Sequence, residues 1–178
     1  MHLSPYPCFF YLFCAILYLI MKEGAFMSIR PANPGDLSRI AEIVVFNNRL
    51  NFFPIFGDPG YSFGEMQVLP LAESWSSEPD FFSTTYVYED DVHGIVLGFI
   101  RVHGDELIKL YVEPCFQSKG IGAQLLTYAA ENCKCSHLWA LEKNTRALDF
   151  YRRHGFLPTG EKIFEEGTTE YLVHLARQ

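Results

Sequence analysis

The chain has 178 residues, 49% of them hydrophobic and 20% charged, which excludes an extended disordered polymer and leaves enough apolar side chain for one domain with a real core. Fourteen Lys and Arg against twenty-one Asp and Glu give a net charge of −7, the wrong sign for a surface that tracks a phosphate backbone, so nucleic acid is not an expected partner. Five cysteines without a Cys-x-x-Cys spacing indicate neither a disulfide framework nor a zinc site; no metal is expected, and the chain reads as cytoplasmic and reduced.

Residues 1–26 form a hydrophobic N-terminal segment. Its unbroken apolar run, residues 8–21, would be about 21 Å long as a helix, against a hydrocarbon layer of about 30 Å. No Lys or Arg precedes the run and no small-residue cleavage site follows it, so it does not read as a secretory signal. If it were translated and inserted, Lys22 and Arg30 would favour a cytoplasmic domain after it. The preferred reading is a misplaced start: Lys22-Glu23-Gly24 is what a purine-rich AAGGAGG stretch encodes in frame, two codons before Met27. On that reading residues 27–178 are the protein, and no membrane contact is expected unless residues 1–21 are translated.

From residue 28 onward no repeat or low-complexity tract interrupts the chain. Residues 28–30 suggest a short strand. Asn33-Pro34 offers a cap and a proline at the first helical position, and Leu37, Ile40, Ala41, Val44 and Val45 recur at helical spacing to about Arg49. Residues 51–82 look irregular, with one short helix near residues 66–75. Residues 84–89, 95–102 and 106–112 read as three strands of an antiparallel meander, with turns through residues 90–94 and Gly104-Asp105. A helix follows over 120–133, a strand over 137–141, a helix over 145–154 ended by Gly155, and a hairpin over 162–166 and 169–175. The order β-α-α-β-β-β-α-β-α-β-β predicts an α/β domain around a mixed sheet.

After the strand ending Leu110-Tyr111-Val112 comes Glu113-Pro114-Cys115-Phe116-Gln117-Ser118-Lys119-Gly120-Ile121-Gly122, then the helical Ala123-Gln124-Leu125-Leu126. A strand, a tight loop and a helix N-terminus make a phosphate-binding arrangement, because the first helical N–H groups point outward with a partial positive charge. A dinucleotide loop would need glycine or alanine where Leu125 stands, and a P-loop would need Gly-Lys-Ser/Thr, which is absent. The pattern Gln-x-x-Gly-x-Gly resembles the pyrophosphate loop of the GNAT superfamily of acyl-CoA-dependent N-acetyltransferases. A second stretch strengthens the resemblance: Asn144, Ala147, Phe150-Tyr151 and Gly155-Phe156 stand in the family's register after a strand, and Ile29-Arg30-Pro31-Ala32 with Asp36 is similar to the family's opening.

What the resemblance implies is an α/β (α+β) domain with a mixed, mostly antiparallel central sheet and helices on both faces, and acetyl transfer from acetyl-CoA, as co-substrate, to a primary amine of a small molecule or protein, by direct attack in a ternary complex. It implies that coenzyme A lies against Gln117, Ser118, Lys119, Gly120, Ile121, Gly122 and Ala123. A backbone N–H around Leu110, Tyr111 and Val112 would polarise the carbonyl where this strand splays from its neighbour, and Asn144 would bond the pantetheine arm. A cap for the helix at Thr145 is an equally physical role for Asn144. Tyr151 would be the acid that protonates the departing thiolate, its alternative being a ring packed on the sheet. Glu106, six residues before Val112, stands where histone-type relatives carry a catalytic glutamate and is the candidate base; its alternative is a solvated strand-end carboxylate. Lys119 is either near phosphate charge or an exposed loop lysine. His103, His137, His154 and His174 are scattered and receive no catalytic role.

The acceptor is not legible in the sequence. Phe46, Phe52, Phe53, Phe56, Tyr61 and Phe63 either wall an acceptor pocket or fill the core. Two other functions remain open at this stage: an acyl-CoA-binding regulatory module without turnover, and a toxin acetylating aminoacyl-tRNA, which the −7 charge disfavours. A monomer or a homodimer is expected.

Overall fold

The computed structural model describes residues 28–165 and 167–178; the apolar run of residues 8–21 and the start at Met27 lie outside them. Among the described residues seven strands form one sheet, β1 (Ser28–Pro31), β2 (Thr85–Asp90), β3 (Ile95–His103), β4 (Glu106–Val112), β5 (His137–Leu141), β6 (Phe156–Phe164) and β7 (Tyr171–Arg177), in the order β1-β2-β3-β4-β5-β7-β6. Every neighbouring pair is antiparallel except β4 and β5. The expected mixed, mostly antiparallel sheet is present.

Helices cover both faces. On one face α1 (Leu37–Asn47) lays Leu37, Ile40, Ala41 and Val44 over Val87, Val96 and Phe99, joined by Trp75 of α3 (Val68–Ser76) and Phe81 of α4 (Phe81–Thr84). On the other, α5 (Ile121–Asn132) and α6 (Thr145–Arg153) cover Val102, Leu107, Leu138, Val173 and Leu175 with Ile121, Leu125, Leu126, Ala129 and Leu148. The entry to α1 is built as its residues foretell. The Asn33 side chain accepts from Gly35 N at 2.9 Å, Asp36 accepts from Asn33 N at 2.8 Å, and Pro34 opens a single 3₁₀ turn before the helix. No helix among the described residues is long and apolar enough to cross a membrane.

Two stretches differ from the sequence expectation. Residues 48–76 are mostly helical: a widened π-type turn (Asn48–Phe52) continues α1 into α2 (Phe53–Phe56), and a second wide turn (Gly60–Glu65) precedes α3. Pro54 does not prevent this, because it sits in the first turn of α2, where a missing N–H costs no intrahelical bond. The second difference is β6, which starts at Phe156 rather than near residue 162. Its Phe156–Pro158 end pairs with Leu175–Arg177, and a bulge between Pro158 and Lys162 interrupts the alternation that a sequence reading follows. Pro158 is tolerated because β6 is a sheet edge.

The parallel pair positions the site. β4 and β5 pair only at Glu106↔His137 and Leu107↔Leu138. Immediately afterwards Ile108 is an extra residue in the ladder with β3, since Val102 faces Leu107 and Arg101 faces Lys109. A bulge bends its strand. The remainder of β4, through Val112, leaves β5 and stays bonded only to β3.

Candidate active site

Where β4 and β5 part, a cleft of about 560 Å³ opens. Its β4 wall is Leu110, Tyr111 and Val112. The Glu113 N–H donates to Leu97 O at 2.8 Å, so residues 97 and 113 are a hydrogen-bonded pair and the pair Gly98↔Val112 is not. In an antiparallel ladder these alternate, which turns the N–H and C=O of Val112 and Leu110 away from β3 and towards the gap. Tyr111 instead spends its backbone groups on β3.

The floor is the loop and first turn of α5: Gln117, Ser118, Gly120, Gly122 and Ala123. Gly120 is the residue before the helix, with φ 86°, and no side chain caps the N–H groups that follow. Ser118 is also left-handed, with φ 61°. Left-handed residues this close turn successive N–H groups to one side, the geometry that binds anions, and glycine adopts it without the steric cost other residues bear. An uncapped N-terminus at a cleft thus fits a diphosphate.

The opposite wall is α6 with its cap: Asn144, Arg146, Ala147, Phe150, Tyr151, Arg153 and His154. Asn144 Oδ1 accepts from Ala147 N at 3.2 Å, so it caps the helix while bordering the cleft. Arg146 is exposed on the rim and has no ion-pair partner among the described residues. Half-buried Tyr151 packs edge-on to Phe150, ring centres 5.3 Å apart, and its hydroxyl has no hydrogen-bond partner among the described residues. Burial pushes its phenol well above the ordinary value, with Tyr111 and Cys135 adding to the shift. The Tyr111 ring stacks on Phe99 at 5.6 Å, and burial, with Tyr61 nearby, pushes its hydroxyl up to about 12. Both phenols therefore keep their protons at neutral pH.

The end of α1 closes the site. Asn47, buried, and Asn51 border the cleft; Asn47 Nδ2 donates to Val112 O at 3.0 Å, and Gln117 Nε2 donates to Asn47 Oδ1 at 2.9 Å and to Val112 O at 3.2 Å.

The structure thus brings together Leu110, Tyr111, Val112, Gln117, Ser118, Gly120, Gly122, Ala123, Asn144 and Tyr151. Three residues singled out in the sequence lie outside the lining. Lys119 holds its ammonium 4.4 Å over the Phe116 ring. The Ile121 side chain is buried in the core beneath, leaving only its N–H for the cleft. Glu106 stands at the start of β4, paired with His103 and His137, four residues and so about 13 Å of strand from Leu110. Sequence reasoning passed over Asn47, Asn51, Phe150 and the Tyr111 phenol. Asn47 did carry a signal: it falls on the buried stripe Ile40, Ile43, Val44, Asn47, where a polar residue needs partners.

Residues 82–158, which include the loop and α6, match the family model described as Acetyltransferase (GNAT) domain. Peptidyl-lysine N-acetyltransferase YjaB of Salmonella typhimurium is 29% identical over 70 residues, 39% of this chain. That alignment spans 48% of YjaB, about half its length. Among solved structures, the fold is similar to the apo-form of YjaB from Escherichia coli, with a TM-score of 0.69 and 20% identity over 84% of this chain and 96% of that one. It is also similar to PaiA N-acetyltransferase from Thermoplasma acidophilum in complex with coenzyme A, with a TM-score of 0.55 and 18% identity over 84% of this chain and 98% of the other. The splayed parallel pair and the uncapped helix N-terminus beneath it both lie within the residues that match the GNAT acetyltransferase domain model.

Proposed function

We propose that the protein transfers an acetyl group from acetyl-CoA to a primary amine by direct attack within a ternary complex. The observation that carries this reading is the uncapped N-terminus of α5, opening on a gap lined by the outward-turned backbone of Leu110 and Val112. Acetyl-CoA supplies a thioester: the amine nitrogen bonds to its carbonyl carbon, the C–S bond breaks, and the thiolate takes up a proton.

The N–H groups from Ser118 to Ala123 hold the diphosphate, with Arg146 at the rim adding positive charge. The N–H groups of Leu110 and Val112 have no β5 partner and are free to bond the arm and the carbonyl oxygen, where negative charge develops. Tyr151 donates its phenolic proton to the departing sulfur. Asn144 faces the arm from α6. The acceptor must arrive neutral. A lysine-like amine of pKa about 10.4 carries a deficit of about 4.6 kcal/mol at pH 7, a peptide α-amine only about 1 kcal/mol. Glu106 is the base, and its distance from Leu110 requires water to relay the proton.

The acceptor is an amine of a protein or small molecule; since the relative YjaB is named a peptidyl-lysine N-acetyltransferase, a lysine peptide belongs first in the panel. Two measurements test the proposal: calorimetry with coenzyme A, and free-thiol release from acetyl-CoA with lysine peptides, N-terminal peptides and polyamines. Heat of binding together with amine-dependent release is expected. Absence of binding overturns the reading, and binding without release from any amine turns it into a storage or sensing module.

A further inference from the structure

The side-chain amide of Asn47 joins elements that acyl transfer needs in register. It is 3% exposed at the end of α1. Nδ2 donates to Ile43 O at 2.8 Å and to Val112 O at 3.0 Å. Oδ1 accepts from Gln117 Nε2 at 2.9 Å and from Asn51 Nδ2 at 3.0 Å. Both hydrogens and both lone pairs of the amide are used.

The Val112 carbonyl explains the need. In a continuous sheet β5 would donate to it, but β5 has already parted from β4. A buried carbonyl without a donor keeps its full desolvation penalty, and an unsupported strand end would be free to drift across the gap. Asn47 and Gln117 supply the missing donors from the side chains of a helix and of the loop that precedes α5. The same contacts tie the loop to the strand end, and Asn51 extends the tie to the wide turn after α1.

We propose that Asn47 is a positioning residue: its amide takes the place of the departed β5 on the Val112 carbonyl and locks Gln117, so that strand end and phosphate loop form one coenzyme-binding surface. This rests on the acetyl-CoA reading of the cleft. The hydrogen bonds of Asn47 go to Ile43, Val112, Gln117 and Asn51 and to neither Tyr151 nor Glu106, so its loss belongs in coenzyme binding rather than in proton transfer.

The test is a double-mutant cycle on the full chain. Asn47→Ala and Gln117→Ala are each expected to weaken coenzyme A binding about tenfold by calorimetry, and the pair together little more than either alone, because they break one network. In turnover the KM for acetyl-CoA rises by a similar factor while kcat changes less than threefold. Asn47→Asp keeps the side-chain volume and the oxygen that accepts from Gln117 and Asn51 but cannot donate to Val112 O; it carries the test if the alanine variant melts. Equal affinity in variant and parent, additive losses in the double variant, or a kcat loss larger than the KM change each overturn the assignment. A parent that does not bind coenzyme A at all would instead sink the acetyl-CoA reading, which keeps the two failures apart.

Discussion

At the scale of single residues, the cleft holds two phenols in different settings. Tyr151 comes from a helix, has no hydrogen-bond partner among the described residues and reaches the cleft beside Asn144 and Ala147. Tyr111 comes from β4 and is held between Phe99 and Phe52, ring centres 5.6 and 6.4 Å away. If Tyr151 is the acid, Tyr151→Phe lowers kcat by about 10² to 10⁴. Tyr111→Phe, which removes a hydroxyl from an otherwise packed ring, lowers it less than fivefold. Because burial raises the Tyr151 phenol, no loss of activity below pH 10 is expected from its ionisation, and a fall of kcat/KM towards acid would belong to the proposed amine acceptor and base. Steady-state rates of both variants across pH decide this; a Tyr151→Phe loss under threefold would return that residue to packing. Tyr151 was legible because it belongs to a local pattern on one helix. The direction of the Tyr111 side chain depends on strand register and on the Ile108 bulge, which no local pattern announces.

At the scale of elements, the decisive contact is that of β3 with β4 and α5. A Cβ on Gly98 would lie 2.9 Å from the backbone oxygen of Tyr111 and 3.1 Å from Leu125 Cδ1, so the close approach of three elements admits only glycine. Gly98→Ala is expected to cost about 1–3 kcal/mol by overpacking, lowering Tm by roughly 2–4 °C for each kcal/mol. Because Gly98 faces Val112, it should weaken coenzyme A binding as well; thermal melts and calorimetry on one preparation read both. A variant as stable as the parent would mean that β3 yields at this point. The strands and the helices α1, α5 and α6 were legible as elements, since alternation and helical spacing report burial along one segment. Residues 48–65 were not. Their wide turns bring Phe, Pro and Gly into helical backbone that no 3.6-residue stripe marks, and it is packing against α1 and Tyr111 that holds them.

At the scale of the molecule, stability in acid should depend on the join between β1 and α1. Burial on its own would raise the Asp36 carboxyl, but the Arg30 guanidinium, at 2.7 and 3.0 Å, and the Asn33 N–H outweigh it and hold the carboxyl below the ordinary carboxylate value. A group depressed in the folded state stabilises above its unfolded pKa of about 3.9 and loses that contribution as pH falls through the folded value. Asp36→Asn is therefore expected to cost about 1–2 kcal/mol at pH 7, and the gap between parent and variant should close as pH drops below about 4. Urea unfolding over a pH series measures it, and a gap that does not change with pH would refute the assignment. The amino-acid sequence alone determined the family resemblance, the mixed sheet with helices on both faces, and the loop and helix residues around the cleft. All of these are written in spacings of two to four residues and in short motifs. Tertiary structure alone decided the order β5-β7-β6, the bulge at Ile108 that opens the gap, and the meeting of Gln117 with Asn47 across 70 residues of chain. Periodicity reports which side of an element is buried, but what it is buried against follows from packing all the elements at once.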